Sequence, residues 1–486
     1  MEVNNLEPQG LWQNFVHLNA VPRASKKEDR VIAFMMNFGE ELGLETIKDA
    51  VGNVVIKKNA TPGMDDRKTV VLQSHLDMVH QKNSDTAFDF DEQGIDMFVE
   101  GDWVKARGTT LGADNGIGVA AIMALLASDT VEHPTLEAMF TIDEETGMTG
   151  AKQLDPANFT GSILLNLDTE EDDELTIGCA GGIDTNTRYN YQQETTDVKS
   201  TAFEVKVKGL VGGHSGIDIH KGRANANKLM NRLLYVIAQT IHIQLHSVDG
   251  GSLRNAIPRE STAVVVVPYG QKELFILLLK QFSELLTEEY STIEPSMIIS
   301  SEETTLPSRV MTFVDFKKIV NAIYALPNGV FRMSPDISNL VEASTNLARV
   351  IVKDGEFITQ SLQRSSVEST KADVSSAVSA AFENIGCNVQ HGGDYPGWKP
   401  DPDSDILRLM TDLYRQIFGK DPKVEACHAG LECGILGAHL PGMDMISFGP
   451  TIRAAHSPDE RVQISSVKKF WVYLTAILKE IPKDNK

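Results

Sequence analysis

The chain has 486 residues, too many for one ordinary hydrophobic core, so two or more domains are expected. A formal net charge of -22 argues against nucleic acid and anionic membrane as partners, and a hydrophobic share of 42% is ordinary for a globular protein. There is no apolar run of membrane-spanning length. The opening Met1-Glu2-Val3-Asn4-Asn5 lacks the basic and apolar regions of a signal peptide, so a cytoplasmic protein is expected. Cys179, Cys387, Cys427 and Cys433 are scattered with no Cys-x-x-Cys, which reads as thiols in a reducing compartment.

In chain order, residues 11–43 carry helical periodicity through Leu11, Phe15, Leu18, Val31, Phe34, Met35 and Phe38. Residues 53–57 read as a strand. Val70-Val71-Leu72-Gln73-Ser74-His75 reads as a second, its apolar run suiting a strand buried on both faces. A glycine-rich turn at 111–116 leads into a small-residue helix, and strands follow at 136–142 and 162–168. Alternation of strands and helices predicts an α/β fold with a mixed, largely parallel sheet.

The texture changes after residue 182. Residues 184–199 are polar and read as a linker or edge segment. From Phe203 the order strand, helix, two strands, helix, strand is the split-βαβ layout of an α+β domain. Residues 313–389 look like a second such set, without visible residue-level repetition. Glycines and prolines at 392–400 break regular structure, and α/β texture resumes at 404. The economical division is a catalytic domain at 1–185 and 393–486, interrupted by an inserted domain at 186–392.

Chemistry-bearing residues gather at predicted strand ends. His75 and Asp77 are two apart and point the same way along an extended chain. Asp114 opens a helix, Glu144-Glu145 follow a strand, Asp168 ends another, and His456 lies just past a strand at 445–448. Taken singly, each has an ordinary reading: helix cap, solvated loop or turn. Taken together, strand ends deliver two imidazoles and several carboxylates to the edge where open α/β sheets bind ligands. That is a donor set for two neighbouring Zn²⁺ ions sharing one carboxylate.

This order resembles the co-catalytic metallopeptidases with a dinuclear zinc centre and an inserted lid, and within them the bacterial aminoacyl-histidine dipeptidases of carnosinase-like type. The matching stretches are 72–79, 105–118, 178–184, Gly212-Gly213-His214-Ser215-Gly216, 253–260, 428–434 and His456-Ser457-Pro458-Asp459-Glu460. They run through nearly the whole chain. One departure is Asp143, where a neutral residue is expected before the Glu pair.

The resemblance implies roles. His75 and Asp168 would hold one zinc and Glu145 and His456 the other, with Asp114 bridging; Co²⁺ or Mn²⁺ could substitute. Asp77 would orient His75, and Glu144 would be the general base. His214 would stabilise the oxyanion. Asn255 and Arg364 would anchor substrate, and Gly430, Leu431 and Glu432 would line the pocket, with Glu432 facing the amino group. The implied activity is hydrolysis of dipeptides, preferentially Xaa-His such as β-alanyl-histidine, by a homodimer paired through the lid, although a duplicated lid could fill the partner's place within one chain. The rival readings are a tripeptidase, an N-acyl amino acid deacylase or a carboxypeptidase on the same scaffold, and a non-catalytic binding protein.

Overall fold

The computed structural model describes residues 2–484, which form two compact units. The first runs to Gly178 and resumes at Trp398–Ala426 and again from Leu431; the second is Cys179–Gly397 with Cys427–Gly430.

The first unit is built on an eight-stranded mixed sheet in the order Glu45–Lys48, Val54–Lys58, Leu136–Thr141, Val70–His75, Ile163–Asn166, Asp444–Ser447, Glu174–Cys179, Lys423–Cys427. The middle four run parallel. Antiparallel strands flank them on both sides. Every residue of Val70–His75 and Leu136–Thr141 is buried, which is why apolar residues follow one another in Val70-Val71-Leu72 and Ala138-Met139-Phe140 with no polar face in between. The helix Ala113–Ala127 is apolar on all sides, and nearly all of it is buried. Gly118 allows its close seat: a Cβ there would meet the Leu167 carbonyl oxygen at 2.7 Å. The parallel centre brings four strand C-termini to one edge of the sheet.

The second unit carries a nine-stranded antiparallel sheet containing two split-βαβ modules. The first comprises Ser200–Lys208, helix Ala226–Ile237, Gln244–Gly250, Ser261–Pro268, helix Lys272–Glu289 and Ile298–Thr304, with its strands in spatial order 4-1-3-2. The second repeats that order with Gly181–Asn190, helix Phe313–Ala325, Val341–Lys353, Glu356–Ser365, helix Glu368–Glu383 and Asn388–Tyr395. Val248–Gly250 pair antiparallel with Val350–Val352 and join the two.

Two sequence expectations change here. The polar stretch from 184 is no linker or edge. Its first part belongs to Gly181–Asn190, an inner strand paired on both sides. It is the first strand of the second module, separated from its own helix by the whole first module. Alternation along this strand is hidden because threonines, Thr185 and Thr187, fill its buried positions and hydrogen-bond there to Gln363 and Thr359. Likewise the glycines at 392–393 do not end the last strand, which bulges and continues to Tyr395.

Among the described residues no helix is long and apolar enough to cross a membrane.

Candidate active site

His75 is the last residue of a central strand and is 1% exposed. Its Nδ1 lies 3.1 Å from the Asp77 carbonyl oxygen and 3.4 Å from Asp77 Oδ1. A carbonyl only accepts, so Nδ1–H is a donor; against burial, the carboxylates of Asp168, Asp114 and Asp77 raise this imidazole well above its ordinary value, so in the metal-free site it also carries a proton on Nε2. That nitrogen faces Asp114 Oδ1 at 3.3 Å and Asp168 Oδ1 at 3.6 Å. Asp114 stands at the start of the buried helix, and its Oδ2 lies 3.1 Å from His456 Nε2. His456 Nε2 lies in turn 3.0 Å from Glu145 Oε2.

These contacts define two three-residue groups, His75–Asp114–Asp168 and Asp114–Glu145–His456, each with donor atoms within 4.8 Å of one another. Asp114 belongs to both. A third group, His75–Glu144–Glu145, brings Glu144 beside the same cluster. Asp77 binds the loop that carries the pair: its Oδ1 accepts from Glu144 N–H at 3.0 Å, and its Oδ2 from Glu145 N–H at 3.3 Å. Asp143, the odd acid before them, accepts from Thr146, Thr149 and Lys26 and so is neutralised locally.

The electrostatics describe a site short of positive charge. Burial pushes the Asp168 carboxyl up to about 6 against the pull of His75. Burial also raises Glu144, with Glu432, Asp168 and Glu145 adding to it. For Asp114 burial is outweighed by hydrogen bonds from His456 and His75, which hold it well below the usual carboxylate range. The His456 imidazole, bonded to Asp114 and Glu145, is raised to about 11. Protons thus gather where the carboxylates converge. Glu145 Oε1 and Asp168 Oδ1 are buried without a hydrogen-bond partner, although buried carboxylates ordinarily find one. Imidazole and carboxylate donors around such orphaned oxygens fit a pair of divalent cations.

Glu432 heads the helix Glu432–His439 and is 2% exposed. Its Oε2 accepts from Gln73 Nε2 at 2.7 Å and Thr141 Oγ1 at 2.8 Å; Oε1 has no partner. Burial lifts this carboxyl to about 7. Leu431 precedes it, half-buried.

His214, Asn255, Arg364 and Gly430 belong to the second unit. His214 pairs with Ala256 in a short ladder, and the Asn255 carbonyl accepts from Ser215 N–H at 2.7 Å. His214 Nδ1 accepts from Gly216 and Ile217 N–H, both at 3.1 Å, so Nε2 carries the proton of the neutral ring. Burial, then Arg364, lowers this imidazole below its ordinary value and keeps it neutral near pH 7. Arg364 is 4% exposed and donates to the Tyr395 hydroxyl at 2.8 Å, while its Nε is buried without a partner. Gly430 lies against the same tyrosine; a Cβ there would meet its ring at 2.9 Å. His428 is buried in this unit beside Ser344 Oγ at 2.8 Å and is pushed down to about 3, by burial first and Arg364 second.

Arg23 and Glu460 escaped the reading of the sequence. Arg23 is 1% exposed and donates to the carbonyls of Leu76, Asp77 and Gly112. A lone arginine in the loop Val21-Pro22-Arg23 carries no periodic signal. Glu460 lay within a matched motif but had no obvious partner in sequence.

A mixed sheet with a parallel centre, acids and imidazoles at its carboxyl edge and a split-βαβ second unit define the class. The sequence profile of Peptidase family M20/M25/M40 matches residues 71–480, and the chain belongs to this family of metallopeptidases, hydrolases acting on peptide bonds. It is 40% identical over 481 residues to the cytosol non-specific dipeptidase of Escherichia coli, covering 99% of each chain. The crystal structure of aminoacylhistidine dipeptidase from Vibrio alginolyticus is similar at a TM-score of 0.95 and 42% identity, covering 100% of this chain and 99% of that one. An aminopeptidase from Bacillus cereus shares the fold at a TM-score of 0.57 and 16% identity, covering 98% and 99%.

Proposed function

We propose that this chain is a dipeptidase with a dinuclear zinc centre, cleaving Xaa-His dipeptides such as β-alanyl-histidine by general-base catalysis from Glu144, in the cytoplasm. The observation that carries the reading is the pair of three-residue groups sharing Asp114. The relatives' names, one a non-specific dipeptidase and one an aminoacylhistidine dipeptidase, support dipeptides as the substrate class.

His75, Asp114 and Asp168 would hold one cation, and Asp114, Glu145 and His456 the other. When bound, the cations supply Lewis acidity, polarising the scissile carbonyl and acidifying the attacking water. Asp77 holds the His75 ring through its backbone carbonyl and the Glu144–Glu145 backbone through its carboxylate, and so would orient these groups toward the cations. Glu144 takes the proton of the attacking water and returns it to the leaving amine; burial raises its proton affinity, the direction that favours a proton acceptor. His214, neutral with its proton on Nε2, is assigned to donate to the oxyanion. Arg364 and Asn255 are assigned to the substrate's carboxylate and carbonyl, Glu432 to its amino group, and Gly430 and Leu431 to the pocket wall.

The test is a side-by-side assay of β-Ala-His, Gly-His, a dipeptide without histidine, a tripeptide and an N-acetyl amino acid, before and after chelation. The reading expects dipeptides to dominate, Xaa-His to lead, and activity to vanish with chelator and return with Zn²⁺ or Co²⁺. Preference for the tripeptide or the N-acetyl amino acid would overturn the substrate assignment. Undiminished turnover with metal shown to be absent would overturn the dinuclear centre.

A further inference from the structure

The geometry points to Glu460 as a positioning residue for the metal centre: its carboxylate locks the loop bearing His456 onto the turn bearing Asp114. This inference rests on the proposed metal ligands.

Glu460 is 2% exposed, and both of its oxygens are taken by one turn. Its Oε2 accepts from Leu111 N–H at 2.7 Å and Gly112 N–H at 2.9 Å; Oε1 accepts from Ala113 N–H at 2.8 Å and Asp114 N–H at 3.2 Å. Four successive amides close on one carboxylate at the start of Ala113–Ala127, where Gly112 supplies no side-chain cap. Asp114 and Asn115 have non-helical backbone, so these amides form a concave anion-binding turn ahead of the regular helix. This anion comes from 346 residues further along the chain.

The second observation is His456 itself. Its side chain is 54% exposed, so packing does not fix it. Its backbone, like that of Ala454, lies at positive φ, 64° and 56°, a conformation that non-glycine residues hold only when their surroundings impose it. What imposes it is a tight turn: Glu460 N–H donates to Ser457 O at 3.0 Å, and Ser457 Oγ to Ala454 O at 2.8 Å. The circuit then closes on one residue. Glu460 grips the backbone amide of Asp114, and His456 Nε2 meets its carboxylate at 3.1 Å. Arg23 binds the same turn, donating to the Gly112 carbonyl at 2.6 Å while also holding the carbonyls of Leu76 and Asp77. The two buried, oppositely charged groups therefore register three segments that carry candidate ligands.

A role in helix capping alone would lower stability and leave metal affinity unchanged. Glu137 provides the comparison: it is a buried carboxylate in the same unit that accepts from Thr160 and Gly161 N–H and has no part in the site. The experiment is competition titration of metal-free wild type, Glu460→Gln and Glu137→Gln with Zn²⁺ against a chelator, with folding followed by circular dichroism. Wild type is expected to bind two Zn²⁺, and Glu460→Gln to lose about 10–100-fold in affinity for at least one. Glu137→Gln is expected to lower the melting temperature only. Two Zn²⁺ bound at wild-type affinity by folded Glu460→Gln would overturn the inference and leave the metal reading intact. Wild type that binds no Zn²⁺ would overturn the metal reading itself, and this inference with it. If Glu460→Gln does not fold, Glu460→Asp, one methylene short of the turn, is titrated with the same two outcomes. Failure of both to fold would assign the carboxylate to fold stability and overturn the inference.

Discussion

The Glu144 backbone N–H donates to Asp77 Oδ1 at 3.0 Å, and the same carboxylate oxygen lies 3.4 Å from His75 Nδ1. One buried group thus sets the ring of a proposed ligand and the backbone of the proposed base. Asp77→Ala strands the amides of Glu144 and Glu145 and leaves the His75 ring held only by that residue's backbone carbonyl. The expected loss is about 10–100-fold in zinc affinity or kcat. Zinc competition and steady-state kinetics check it. Unchanged values for both would remove Asp77 from the site.

The metal-free site should respond to pH in one direction. Asp168 and Glu432 are raised by burial to about 6 and about 7, and His456, bonded to Asp114 and Glu145, to about 11. A group whose pKa is higher in the folded state stabilises the fold below its unfolded value, and that contribution is lost as pH rises through the folded value. These groups therefore withdraw stability from the metal-free site through about pH 4 to 7 for the carboxyls, and toward 11 for His456, whereas His428, lowered to about 3, works the other way between 3 and its ordinary value. Zinc replaces these protons. The rise in melting temperature on adding zinc should be larger near pH 8 than near pH 5.5; a rise that shrinks with pH would contradict this picture.

Gly118→Ala should destabilise the protein although it sits inside a helix. Replacing a helical glycine with alanine ordinarily gains roughly 0.5–1 kcal/mol. Here the new Cβ would meet the Leu167 carbonyl oxygen at 2.7 Å and press on Ser74 Oγ. Overpacking of that kind costs about 1–3 kcal/mol, and the carbonyl cannot swing away because Asn115 Nδ2 also donates to it. A lower melting temperature is expected, with weaker zinc binding, since Leu167 adjoins Asp168. A higher melting temperature would contradict the packing argument.

Much of the first unit was legible because its central strands are buried on both faces and end in imidazole and carboxylate side chains. Val70 to His75 reads as an apolar run with a histidine at its end, and it is a central strand with that histidine at the sheet's carboxyl edge. The five proposed ligands and Glu144 converge in space as their order along the chain implied. The second module was only half legible. Its first strand, Gly181–Asn190, buries threonines in place of aliphatic residues and lies before the first module in sequence, so neither periodicity nor adjacency marks it. Arg23 and Glu460 were invisible for another reason. They act on backbone carbonyls and amides, which carry no residue-specific pattern.

We propose a homodimer, as the resemblance implies. Light scattering at micromolar concentration should give twice the mass of one chain. A monomer alone would contradict it, and would suit the two modules that the second unit already joins edge to edge through Val248–Gly250 and Val350–Val352.

The central claim is that adjacent glutamates do different work: Glu144 moves the proton and Glu145 holds metal. The measurement is bound zinc and kcat for Glu144→Gln and Glu145→Gln under the same metal-buffered conditions. Glu144→Gln should keep its zinc and lose about 10²–10⁴-fold in kcat. Glu145→Gln should lose zinc occupancy. Near-normal kcat in zinc-loaded Glu144→Gln would contradict the account, as would loss of zinc from Glu144→Gln with full occupancy in Glu145→Gln.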